Sequence, residues 1–103
     1  MTDAEKIQFI VGYYGLENQL IQTAEEAAEL TKAAIKRHKA LKEKDTSLED
    51  RISTQAALVE EIADVMIMIH QIVYAEGIED DVELVINEKL NRQMERIKAV
   101  SEK

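Results

Sequence analysis

The sequence predicts an all-α protein, a bundle of about four helices forming a single domain over residues 1–103. Three observations carry this. Proline is absent and glycine occurs only three times, so few positions interrupt a helix. Ala, Glu, Lys, Leu, Ile and Gln dominate, the composition of long helices. Apolar residues also recur three and four apart through most of the chain. With one Phe and no Trp, the core must be built from Leu, Ile, Val, Met and Ala.

The first helix is predicted from about Asp3 to Tyr14, with Ile7, Ile10, Val11 and Tyr14 as its apolar side and Gly15 ending it. The second begins near Leu16 or Glu17 and runs to about Lys44. Its apolar arc is Leu16, Leu20, Ala24, Ala27, Ala28, Thr31, Ala34 and Ile35, rich in alanine and suited to close helix packing. Such a helix is ~40 Å long, unusual for so small a domain. The segment Lys44 to Ile52 reads as the one clear linker, because Asp45, Thr46 and Ser47 are turn formers, and Ser53 is the candidate N-cap beyond it. A third helix ends at Gly77. Glu79, Asp80 and Asp81 follow, where anions suit a helix start. The fourth helix then carries Val82, Ile86, Leu90, Ile97 and Val100 on one stripe.

The third helix poses a problem. Around Glu61, at ~100° per residue, Val65, Leu58, Ile69, Ile62, Val73, Met66 and Ile67 fill one arc, and Ala57, Ala75, Met68 and Ile72 close the circle. A helix apolar on every side is predicted to be central and buried. Carboxylates in such a place need partners, since a desolvated lone carboxylate protonates instead.

A partner set lies upstream. EEAAEL, Glu25 to Leu30, echoes EEIADV, Glu60 to Val65. Glu26 and Glu29 stand three apart, as do Glu61 and Asp64, and residues at i and i+3 share a helix face. Two such helices side by side would converge four carboxylates, and hard divalent cations, Mg²⁺ or Mn²⁺, suit oxygen ligands of this kind. Taken singly, Glu25, Glu26 and Glu29 read as a solvated face beside Gln22, Lys32 and Lys36. On the third helix that reading fails. The alternative there is a buried salt bridge to Lys89, Arg92 and Arg96, which fall within ~60° on the fourth helix.

These segments resemble the E-x-x-E…E-x-x-D signature of the MazG-like, all-α nucleoside triphosphate pyrophosphohydrolases. NEKLNRQ, Asn87 to Gln93, is similar to that family's N-x-K-F-x-R-R segment, and YGLENQLIQTAEEAAEL looks like the approach to its first metal-bearing helix. The resemblance spans about Tyr14 to Ile97. It implies cleavage between the α- and β-phosphates of a nucleoside triphosphate, giving monophosphate and pyrophosphate. Glu26, Glu29, Glu61 and Asp64 would hold Mg²⁺ or Mn²⁺ and act through an activated water, while Lys89 and Arg92 bind phosphate, with Lys36 as a further candidate. Glu25 or Glu60 would orient a ligand or serve as base, or lie at the surface. Two departures stand out. Residues 30–60 separate the acidic pairs, 31 positions, longer than the family's usual interval. The second Arg of the family segment is Gln93 here, and Arg96 one turn beyond Arg92 is its candidate replacement. A rival in the same superfamily is phosphoribosyl-ATP pyrophosphohydrolase, which needs a larger pocket. A rival of another class is a non-catalytic helical interaction module.

Net charge of −8 argues against a general nucleic-acid-binding surface. Cysteine is absent, which removes disulfides and Cys-based zinc sites. No apolar run reaches ~18 residues, so no membrane span is predicted, and a cytoplasmic protein is expected. A homodimer or homotetramer is expected too, because a chain this short buries a modest core alone. His70 is predicted to face away from the acids as a core or interface residue, and His38 to be solvated among Lys36, Arg37 and Lys39. Met66, Met68 and Met94 read as core filling. Gln19 and Gln22 precede Glu26 on its face, candidates for base or ribose contacts or simply polar surface.

Overall fold

A computed structural model describes residues 1–102. It contains four helices, α1 (Asp3–Tyr14), α2 (Leu16–Lys42), α3 (Leu48–Glu76) and α4 (Glu79–Ser101), and no strand among the described residues. Among the described residues, no helix is long and apolar enough to cross a membrane.

Local chemistry sets each boundary. Thr2 caps α1 by accepting from the Glu5 amide at 3.1 Å, while the Glu5 carboxylate accepts from the Thr2 amide at 2.9 Å. This reciprocal box satisfies two amide donors that a helix start leaves without partners. Gly15, at φ 90° and ψ 145°, stands in a region that residues with a Cβ avoid, and there the chain turns from α1 into α2. Ser47, not Ser53, caps α3, accepting from the Asp50 amide at 3.0 Å. The predicted linker therefore shrinks to Glu43–Ser47, and Leu48 to Ile52 are helical. Glu49 and Asp50 in the first turn explain the gain, since anions stabilise a helix N-terminus. Gly77 ends α3 in the left-handed region, φ 66°, as an αL cap requires.

Packing is uneven. α2 and α3 lie antiparallel along most of their lengths, paired from Gln19 against Gln71 at one end to Arg37 against Arg51 at the other. α1 packs on both, and α4 touches α3 alone, and only slightly. The face of α2 turned toward α3 carries Gln19, Ala33 and Ala40, which are buried, with Gln22, Glu26, Leu30 and Arg37 half-buried between them. The predicted apolar arc of α2 points elsewhere: Leu20, Ala24, Ala27, Ala28, Thr31, Ala34 and Ile35 are all exposed. α3 is likewise not enclosed. Met68 and Gln71 are buried, but Val59, Ile62, Met66, Ile67 and Ile69 are open to solvent. His70, expected in a core or an interface, is exposed in the single chain. The reason is one of cover, because α1 and α2 occupy one side of α3 and α4 hardly covers the other.

The consequence is measurable. The chain exposes 8366 Å², where a folded monomer of 11.7 kDa exposes about 5,900 Å². Its radius of gyration is 17.8 Å, against about 13 Å for a compact domain of this length. No residue of α4 is buried, and Leu84, Val85, Ile86, Leu90, Met94, Ile97 and Val100 line its open surface.

Candidate functional site

The antiparallel pairing of α2 and α3 brings three of the four expected acids together. Glu26 from α2 and Glu61 and Asp64 from α3 each offer a carboxylate oxygen, and these atoms all lie within 4.8 Å of one another. Two oxygens on a single Mg²⁺ at ~2.1 Å sit at most ~4.2 Å apart, so small side-chain rotations close the set around one ion. Glu26 and Glu61 are half-buried and Asp64 is exposed, which leaves the cluster open on one side.

The electrostatics are unfavourable to the acids alone. Burial, then the charges of Asp64, Glu26, Glu29 and Glu60, push the Glu61 carboxyl above its ordinary value. Its Oε2 is buried and has no hydrogen-bond partner, a cost that folded proteins rarely leave in place. Gln22 Nε2 donates to Glu26 Oε1 at 2.9 Å, which leaves the Glu61 oxygen unrelieved. A cation fits this donor set. It would take the orphaned oxygen as a ligand and relieve the repulsion.

Glu29 sits at the margin. Its charge contributes to the shift of Glu61, yet it lies outside the convergent three and pairs with Lys32 Nζ at 3.4 Å on an exposed face. Glu25 and Glu60 are exposed. Lys36 lies in the α2–α3 groove two turns beyond Glu29, with Ala33, Ser53, Thr54 and Ala57 around it. Lys89, Arg92 and Arg96 are exposed on α4, and no ion pair or hydrogen bond joins them to any acid among the described residues. The salt-bridge alternative for Glu61 and Asp64 therefore has no partner among the described residues of one chain.

Gln19 is not polar surface: it is buried in a hydrogen bond to Gln71. Ser53 and Thr54 at the groove were not singled out from the sequence as site residues. A signal existed: Thr54 precedes Glu61 by seven residues, as Lys36 follows Glu29 by seven, so antiparallel helices place both on one level.

Comparison with known protein families, with curated proteins and with solved structures gives no match to this chain.

Proposed function

We propose that this protein is a divalent-metal-dependent nucleoside triphosphate pyrophosphohydrolase of the MazG-like type, a cytoplasmic homo-oligomer that releases monophosphate and pyrophosphate. One observation carries the reading: Glu26, Glu61 and Asp64 converge from two helices, with a buried Glu61 oxygen left without a partner. Glu26, Glu61 and Asp64 would hold Mg²⁺ or Mn²⁺, with Glu29 able to join them by leaving Lys32. Such a cation supplies charge neutralisation for the phosphates and a more acidic water. The chain's own part is positional. Its two long helices hold the carboxylates on rigid backbone, and Gln22 fixes the orientation of Glu26. Lys36 faces the same groove as a phosphate contact, and Lys89 and Arg92 on α4 would come to a site only as the assembly places them.

Oligomerisation is part of the proposal. The excess surface over a compact monomer is about 2,500 Å² per chain, about 5,000 Å² for a pair, at the upper end of what obligate interfaces bury in total.

A second reading, a non-catalytic interaction module, is favoured by that same exposed apolar surface. Melting in EDTA and then in millimolar Mg²⁺ or Mn²⁺ separates the two, because an ion bound only by the native state raises the melting temperature. Pyrophosphate release from a panel of standard and modified triphosphates, with Glu61→Gln as control, completes the test. Release by the wild type and none by the variant is the expected result; equal turnover by both removes the ligand assignment.

A further inference from the structure

We infer that the groove beyond the three acids seats the terminal phosphates of the substrate, so that pyrophosphate departs along Lys36, Ser53 and Thr54 and the nucleoside lies toward Gln22. This rests on the proposed metal site and deepens it by giving the substrate a direction. Lys36 is seven residues past Glu29, and Thr54 seven residues before Glu61. On antiparallel helices both steps run the same way, ~10 Å along the groove. There Ala33, Lys36, Ser53, Thr54 and Ala57 line a cleft of about 220 Å³. Two of the five lining residues are alanines, whose short side chains take up little of the space.

Charge decides the direction. Between residues 7 and 31, and again between 52 and 88, the chain has no Lys or Arg. The α2 and α3 segments on the Gln19–Gln71 side of the acids therefore offer amides and apolar groups but no cation for phosphate. On the other side stand Lys36, Arg37 and Lys39. Lys36 makes no ion pair among the described residues, so its ammonium is not committed to a carboxylate there. Arg37 adds a second positive charge, with Nη1 donating to the Arg51 carbonyl at 2.8 Å and to Thr54 Oγ1 at 3.4 Å. The Ser53 hydroxyl donates to the Asp50 carbonyl over a long 3.3 Å, a bond readily exchanged for one to a phosphate oxygen. Farther along, Glu43 and Asp50 join Lys36 and Lys39 in lining the groove. Negative charge thus returns where a diphosphate would end.

The test is calorimetric titration of the full chain in Mg²⁺ with inorganic pyrophosphate, beside AMP, GMP, CMP and UMP. Lys36→Ala is expected to weaken pyrophosphate binding about tenfold or more. Ala57→Leu, at an exposed position that tolerates the larger side chain, is expected to block it. Monophosphate binding and the Mg²⁺-dependent rise in melting temperature should be unchanged in both. Pyrophosphate bound equally well by the variants, or not at all by the wild type, overturns the orientation, as does an equal loss of monophosphate binding. Failure of the metal reading looks different: the wild type then shows no Mg²⁺ shift. Lys36-dependent pyrophosphate binding without turnover would keep the groove assignment and discard hydrolysis.

Discussion

Gln19 Nε2 donates to Gln71 Oε1 at 2.8 Å, joining the start of α2 to the end of α3 where Gln71 is only 1% exposed. The amide nitrogen of Gln71 in turn donates to Met68 Sδ at 3.5 Å, a weak acceptor. Gln19 stands seven residues before Glu26, and Gln71 seven after Asp64, so this bond sets the helix register that brings the acids together.

Gln71→Leu leaves the Gln19 amide buried without its acceptor and is expected to cost about 1–3 kcal/mol of stability. Replacing both by leucine removes both polar groups and should recover most of that loss. Urea unfolding of the single and double variants measures it. A double variant as unstable as the single one would show that the bond is not what the site depends on.

Metal dependence should follow the geometry. Glu26→Gln, Glu61→Gln and Asp64→Asn are each expected to abolish the Mg²⁺-dependent rise in melting temperature, because each replaces one of the three convergent carboxylates by a neutral, weaker-ligating amide. Glu29, already paired with Lys32, should matter less, and Glu29→Gln is expected to weaken the shift without eliminating it. Four equal effects would place Glu29 in the first rank of ligands; four null effects would dispose of the site.

Protonation offers an independent handle. In the metal-free protein, burial and then the neighbouring acids hold the Glu61 carboxyl above its ordinary value, so the folded state binds its proton more tightly than the unfolded chain. Stability from this group is fully present below the ordinary glutamate pKa and is lost as pH rises through the raised one. In EDTA, Glu61→Gln should flatten this part of the stability curve and be the more stable protein at neutral pH. Saturating Mg²⁺ should invert the order, since ligation requires the ionised carboxylate. Parallel pH curves in EDTA would remove the repulsion argument.

The open face of α4 gives the fourth prediction. Light scattering after size exclusion should give a mass at a multiple of 11.7 kDa. Leu90→Glu places a charge on a side chain that is 61% exposed in the single chain, harmless in a monomer but costly inside an interface. The variant is expected to fall to lower mass and melt earlier. A wild type running cleanly as a monomer ends the oligomeric reading.

Helix number, the stops at Gly15 and Gly77 and the acidic echo were all legible from one strand of text, because propensity, capping and i, i+3 spacing are local properties. Even the linker erred only by choosing Ser53 over Ser47, two serines each preceding a helical stretch. Which faces meet is a different matter. Periodicity marks the alanine arc of α2 as apolar, yet α2 turns Gln19, Glu26 and Ala33 toward α3 and leaves that arc outside. The apolar pattern of one helix carries no information about which neighbour arrives, or whether a second copy of the chain supplies the cover. The same limit applies to the site: spacing put Glu26 with Glu29 and Glu61 with Asp64, but only the antiparallel register selected Glu26, Glu61 and Asp64 as the set within reach of one ion. Contacts between residues 35 and more positions apart depend on how whole helices dock, and docking is decided by packing that no local pattern encodes.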